Sequence, residues 1–293
     1  MKPSFAIVGC GKVGTTLGKF LAASGYTTIG LSSKSLASAE KAAEIIGSKC
    51  FSDAPWEVTR KADLVFITTP DDAIQETCDR ISQKNGFKKN AVVFHCSGAL
   101  PSTILGSAQK GGAFIGSMHP LQSFASFQYD ENPFQGIIVT VEGDTESIKQ
   151  ARRIITDIGA EGIEITTDGK TLYHAAAVAA SNYLVTLVDL SFRLIEEAGI
   201  SGRDALNILK PLINGTLANI ESMGIPSALT GPIARGDVQT VKDHIAAMES
   251  RTPGLLSLYK TLGRFTVDIA TAKGTLSESS AEILKDLLGP DKN

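Results

Sequence analysis

The sequence is poor in the residues that hold small or metal-dependent folds together: in 293 positions there are four cysteines, four histidines and one tryptophan. Cys10, Cys50, Cys78 and Cys96 are widely spaced, with no Cys-x-x-Cys pair and no histidine cluster beside them. Reduced cytosolic thiols therefore fit better than a disulfide framework or a zinc site. Charge of one sign is lacking too: 28 basic residues face 31 acidic ones, and neither half carries an excess. That balance argues against nucleic acid and anionic membranes as partners. Long apolar runs are scarce. The longest, Ala175–Leu190, is broken by Ser181, Asn182, Thr186 and Asp189, short of the about 20 uninterrupted residues of a membrane span. It is expected to be a buried helix of a soluble protein. The amino terminus, Met1-Lys2-Pro3-Ser4-Phe5, leads into an apolar segment too short for a signal peptide, so a cytoplasmic location is expected. Repeats and low-complexity segments are missing as well. The 43% hydrophobic content is enough for two self-sufficient cores.

The first 165 residues alternate short β-branched runs with segments of helical period, the pattern of a doubly wound, mostly parallel sheet. Strands are predicted at Phe5–Val8, Thr27–Leu31, Lys49–Phe51, Leu64–Thr68, Ala91–His95, Ala113–Ser117, Gly136–Val141 and Gly162–Ile165. Helices are predicted at Val13–Ser24, Ser35–Gly47, Asp72–Gln83, Ser102–Lys110 and Glu146–Ile158. Strand signals then vanish. Lys170–Ala198, Arg203–Glu221, Val238–Met248, Leu255–Lys273 and Ser277–Leu288 read as helices, which places an all-helical domain at 166–293 after a Rossmann domain at 1–165. The tail from Gly289 is expected to fray.

Gly9-Cys10-Gly11-Lys12-Val13-Gly14 is a complete G-x-G-x-x-G between a strand and a helix. Such a loop turns tightly at its first glycine, lets a pyrophosphate approach the backbone at the second and packs helix on strand at the third. NAD sites usually carry an acid at the end of the second strand. Here the chain reads Ser32-Ser33-Lys34, hydroxyls and an ammonium that suit a 2′-phosphate, so NADP(H) is the expected cofactor. The same serines can instead cap the next helix. Thr69 and Pro70, after the fourth strand, and Cys96 and Ser97, after the fifth, lie at carboxyl ends of strands and complete the expected cofactor site.

Of the histidines, His119 follows the sixth strand, in Ser117-Met118-His119-Pro120, where a side chain with a pKa near neutrality can give a proton to a carbonyl as hydride arrives. The plainer reading is a histidine bonded to loop backbone. His95 reads as a core residue and His244 as a solvated one. On the helix from Lys170, at 100° per residue, Lys170 and His174 share a face with Ser181, and Asn182 lies nearby. They either meet substrate or bond the protein itself. Lys170 is expected at an exposable helix end. Arg235, in Gly231-Pro232-Ile233-Ala234-Arg235-Gly236-Asp237, can fork onto a substrate carboxylate or pair with Asp237, itself a predicted N-cap.

Together these motifs, with His95-Cys96-Ser97-Gly98-Ala99-Leu100, the run through Gln122-Ser123-Phe124 and Tyr173-His174-Ala175-Ala176-Ala177, resemble bacterial proteins that join a Rossmann-like domain to the helical domain of unknown function 2520. That family is similar to the group of 6-phosphogluconate dehydrogenase, 3-hydroxyisobutyrate dehydrogenase, pyrroline-5-carboxylate reductase, ketopantoate reductase and prephenate dehydrogenase. The resemblance implies NADP or NAD in the first domain, a small-molecule substrate between the domains and dimerisation through the helical one. It implies that His119 and Ser97 correspond to the His-Pro and serine of prephenate dehydrogenases. The lysine and asparagine that hydroxyacid dehydrogenases carry one turn apart are not reproduced, since His174 follows Lys170 by one turn and Asn182 comes two turns later. The expectation is an NADP-dependent reductase or dehydrogenase of a small carboxylate-bearing 2-oxo acid or imine, ketopantoate-like at best guess. His119, His174, Asn182 and Ser97 are its catalytic set, and Asn182 and Arg235 hold the substrate. The alternative is a non-catalytic NADP(H)-binding redox sensor or assembly module.

Overall fold

The computed structural model describes residues 2–127, 129 and 131–289, apart from the side chain of Arg203. The tail expected to fray lies, from Pro290 onward, outside the described residues. Two compact units divide the chain, Met1–Ala180 and Ser181–Asn293. The strands do end where the sequence places the domain change, but the first eleven residues of the helix that follows pack with the sheet unit, so the division falls inside that helix and not at 165/166.

The first unit is a sheet of eight strands in the order β3-β2-β1-β4-β5-β6-β7-β8. In chain order it runs through β1 (Ser4–Val8), α1 (Lys12–Ala23), β2 (Thr27–Ser32), α2 (Leu36–Ile46), β3 (Phe51–Ser52), α3 (Pro55–Thr59), β4 (Leu64–Ile67), α4 (Asp71–Gln83) and β5 (Val92–His95). A 3₁₀ turn at Ser102–Leu105 leads into α5 (Gly106–Lys110), followed by β6 (Phe114–Pro120), β7 (Ile138–Gly143), α6 (Thr145–Asp157) and β8 (Glu161–Glu164). Alternation of side chains along each strand makes two cores. Phe5 and Ile7 face Leu17, Leu21 and Ile155 of α1 and α6, while Ala6 and Val8 face Val58, Ile74 and Ile81 of α3 and α4.

Every sheet pairing is parallel except β6 with β7. That exception corrects one expectation. His119 does not follow the sixth strand but lies in it, because antiparallel β7 extends the pairing through His119 opposite Thr140 and Pro120 opposite Val139. The third strand shrinks to two residues, and α3, whose proline supplies the first helical position, was not visible in the pattern.

The second unit comprises the rest of α7 (Lys170–Glu197), then α8 (Gly202–Met223), α9 (Ile225–Ala228), α10 (Val238–Arg251), α11 (Pro253–Lys273) and α12 (Glu278–Leu287). Val241, Ile245, Val267, Leu284 and Leu288 form its small core. Asp237 caps α10 as expected, accepting from the Thr240 amide at 3.1 Å. The stretch Ala175–Leu190 is not the buried helix expected of it. Only Leu190 is buried there, and α7 is long and apolar enough to cross a membrane by length and composition. Tyr183 and Val185 on this helix, and Leu206 and Leu212 on α8, stand more than half exposed.

Candidate active site at the carboxyl edge of the sheet

Cross-strand register sets Ser32, Val8, Ile67, His95 and Ser117 in one row across five strands. The loops that leave this row hold most of the site residues read from the sequence. Gly9 turns with φ +106°, and a Cβ there would lie 2.6 Å from the backbone of Thr68 and Thr69. A Cβ on Gly14 would lie 2.3 Å from the Gly9 carbonyl, whereas one on Gly11 would meet nothing within 4 Å. The loop therefore packs closely on the protein at its first and third glycines and is open at the second, where an anion can reach the backbone. It is pinned from two sides. The Ser32 carbonyl accepts the Gly9 amide at 2.7 Å and the Cys10 thiol at 3.3 Å, and the Thr68 hydroxyl donates to the Gly9 carbonyl at 2.6 Å. Burial pushes the Cys10 thiol up to about 12, so it stays protonated and serves as a donor.

No acidic side chain occupies the first turn of α1 and no side chain caps it, so the amides of that turn are left without a side-chain partner. Lys12 is exposed there and Val13 half-buried. Ser32 is buried, while Ser33 and Lys34 reach solvent ahead of α2. Thr69 carries a buried hydroxyl with no partner among the described residues, and Pro70 is the exposed N-cap of α4. These residues fit a dinucleotide: a cradle that admits only glycine, a free helix terminus and an orphaned hydroxyl beside it.

The second cluster lies further along the same edge. His119 on β6 and His174 on the first turns of α7 place their ring centroids 6.2 Å apart. Gly98 is wedged against both: a Cβ there would sit 2.6 Å from His174 Cδ2 and 2.8 Å from His119 Cε1 and Nε2. His119 Nδ1 shares a hydrogen bond of 3.0 Å with the Tyr173 hydroxyl. Burial, then the Lys170 ammonium and His174, depress His119 to about 4. That revises the expectation of a pKa near neutrality: His119 is a neutral imidazole at pH 7. His95 is fully buried, as expected, and its burial and Lys170 push it down to about 3.

Ser97 is fully engaged. Its hydroxyl donates to Asp71 at 2.8 Å and accepts the amides of Ala99 at 3.2 Å and Leu100 at 3.0 Å. It shapes the turn that carries Gly98. Cys96, next to it, is held up to about 12 by burial.

Lys170 is the largest departure from expectation. It is 1% exposed, bonded to the Ser117 hydroxyl and 3.8 Å from the equally buried Glu142 carboxylate. Glu142 in turn accepts the Ser102 amide at 2.7 Å, the Ser102 hydroxyl at 2.8 Å and the Thr167 hydroxyl at 3.1 Å. Burial lowers the Lys170 pKa against the opposing pull of Glu142. A lysine that opens a helix reads from sequence as solvated; the partner carboxylate, 28 positions upstream on β7, together with the Ser117 hydroxyl makes burial tolerable. Gly98 and Tyr173 stand in the motifs that carry the family resemblance, but nothing in residue order gave them or Asp71 a role in the site. Asn182 and Arg235 belong to the second unit, where both are exposed; the Thr240 hydrogen bonds, and to a lesser degree the Arg235 charge, lower the Asp237 pKa. His244 is exposed, as expected, and bonded to the Tyr259 hydroxyl at 2.8 Å.

A Rossmann-type sheet with a glycine-rich dinucleotide cradle, followed by a helical unit, is the class these observations define. More particularly, residues 2–120 match the model of the Rossmann-like domain and residues 137–266 that of the domain of unknown function 2520, so the chain joins these two domains. Among solved structures, it is similar to a provisionally named NADP oxidoreductase of Bacteroides fragilis, at 22% identity over 91% of this chain and 98% of the other, with a TM-score of 0.74. It is similar to protein TM1727 of Thermotoga maritima, at 28% identity over 92% and 99% of the two chains, TM-score 0.70. It also shares its fold with a variant imine reductase of Myxococcus stipitatus in complex with NAD+, at 14% identity over 97% and 99%, TM-score 0.63. A comparison with curated proteins returned no match.

Proposed function

We propose that this protein is an NADP-dependent oxidoreductase that moves hydride between nicotinamide and a small carboxylate-bearing 2-oxo acid or imine, with a ketopantoate-like acid the first substrate to try. The observation that carries the reading is the pair His119 and His174 closing over Gly98, on the same sheet edge as the glycine cradle. The likeness to an NADP oxidoreductase and an imine reductase supports the class of reaction, and Ser33 and Lys34 beside the second strand support NADP(H) over NAD(H).

The nicotinamide would supply hydride to the acceptor carbon. Negative charge then builds on the carbonyl oxygen or imine nitrogen and must be met by a fixed donor. A neutral His119 meets it with a ring N–H, and the net proton enters from solvent through one of the two imidazoles. Asn182 and Arg235 are assigned to substrate binding, Arg235 as the partner of a carboxylate. Ser97 acts through the turn that seats Gly98. We place the protein in the cytoplasm as a homodimer in which a second copy covers the exposed apolar faces of α7 and α8.

The test is NADPH oxidation against a panel of 2-oxo acids and cyclic imines that includes ketopantoate. Turnover is expected with at least one, and His119→Ala is expected to cut it by about 10²–10⁴ with NADPH affinity nearly intact. Tight NADPH binding with no turnover across the panel would replace the reductase with the redox-sensor reading.

A further inference from the structure

We infer that Tyr173 is a positioning residue for His119: its hydroxyl holds Nδ1 as an acceptor, so that the imidazole keeps its proton on Nε2, the nitrogen turned toward Gly98 and the neighbouring His174. The inference deepens the reductase reading and rests on it for its catalytic meaning, while the tautomer itself is a property of the protein alone.

A neutral imidazole carries one proton on one of two nitrogens, and which nitrogen holds it is decided by the hydrogen bond the other makes. At His119 the two nitrogens have different surroundings. Nδ1 lies 3.0 Å from the Tyr173 hydroxyl, with the rings edge to face at 82°. Nε2 lies on the side of Gly98, 2.8 Å from the point where a Cβ on that residue would stand. A phenol is a better donor than acceptor, and burial raises the Tyr173 pKa against the opposing influence of the Thr140 hydroxyl, which keeps the proton on the tyrosine. Tyr173 therefore donates and Nδ1 accepts. The proton left to the ring is on Nε2.

The groups around the ring favour the same neutral form. Lys170, from the first turn of α7, and His174, one turn on, oppose a second proton on His119, and Asp71 at the start of α4 is the only opposing influence among its named neighbours. Thr140, the cross-strand partner of His119 on β7, is buried beside them. Lys170, Tyr173 and His174 thus act from a single helix turn: the first keeps the ring neutral, the second sets its tautomer and the third flanks the nitrogen it leaves free.

The experiment reads the tautomer directly, by two-bond ¹⁵N–¹H correlation spectra of the full-length protein labelled on histidine, with the His119 signals assigned through His119→Gln. Wild type is expected to show the Nε2–H pattern at pH 7, and Tyr173→Phe a mixture of both tautomers. Once a substrate is found, Tyr173→Phe should lower kcat about tenfold, the scale of one hydrogen bond, with the NADPH Kd unchanged. An Nδ1–H pattern in wild type overturns the inference even if the variant does not fold. An unchanged Nε2–H pattern in folded Tyr173→Phe overturns it as well. Neither spectrum depends on turnover, so a chain that oxidises no NADPH defeats the reductase reading and leaves the tautomer result standing.

Discussion

Breaking the Lys170–Glu142 pair from one side should cost far more than removing both charges. The two side chains are 1% and 2% exposed and 3.8 Å apart, where unit charges attract by about 4 kcal/mol at an effective dielectric of 20. Removing one partner leaves the other charge uncompensated in the interior, at about 3–5 kcal/mol. Against a total stability of about 5–15 kcal/mol, that is a large fraction of the fold's margin. The partners are not equivalent. Glu142 keeps three protein donors when Lys170 is lost, whereas Lys170 keeps only the Ser117 hydroxyl among its hydrogen-bond partners when Glu142 is lost. Glu142→Gln should therefore be the more damaging single change, Lys170→Met the milder, and the double variant should recover much of the loss.

The measurement is urea denaturation of the four proteins at pH 7. A coupling energy of about 2 kcal/mol or more is expected, and additivity within about 0.5 kcal/mol would refute the reasoning. The pH dependence has a defined sign. Burial lowers the Lys170 pKa below its ordinary 10.5, so between the two values the unfolded chain holds the proton that the native one has shed. Stability from this group should rise with pH up to about 10.5 and fall as pH drops toward the native value, more steeply in Glu142→Gln.

Gly98→Ala should displace both imidazoles, since its Cβ would stand 2.6 and 2.8 Å from them. A loss of about 1–3 kcal/mol in thermal unfolding, with shifted His119 and His174 resonances, is expected, and wild-type values of both would disprove the wedge. NADPH should bind at least tenfold more tightly than NADH, about 1.4 kcal/mol, and Lys34→Ala should narrow the gap by weakening NADPH alone; equal affinities in a fluorescence titration would remove the 2′-phosphate argument. Below pH 6.5 the protein should lose stability as the unfolded chain protonates His119 and His95 while the native one, with values near 4 and 3, does not; a flat urea midpoint between pH 7 and 5 would contradict those burials. Sedimentation at micromolar concentration in detergent-free buffer should give twice the 30.8 kDa chain mass, and a monomer would leave the α7 and α8 faces without their proposed cover.

The sheet was legible because its signals are local. The strands alternate or run apolar over four to seven residues, and G-x-G-x-x-G marks one strand-to-helix junction without ambiguity. What escaped was set by distant partners. Lys170 looked solvated because its carboxylate lies on β7, and His119 looked like a loop residue because the antiparallel turn of β7 is invisible in residue order. The histidine pair was legible as two candidates but not as a pair, since residue order does not show that Gly98, on a different loop, packs against both rings. Ala175–Leu190 misled for a related reason: apolar composition says that a face must be covered, not which surface covers it.

The margins of the sheet govern how the protein behaves when crowded. A parallel sheet with an unprotected border would recruit the border of another molecule and grow without limit. Here one border, β3, is two residues long. The other, β8, is exposed throughout and reads Glu-Gly-Ile-Glu, with Glu164 tied to Arg152 at 2.7 Å. Any copy that paired along β8 would set carboxylates near carboxylates around the single apolar Ile163. Growth through strand pairing is thus disfavoured at both ends, and the sheet contributes little to contacts between copies even where the protein is concentrated.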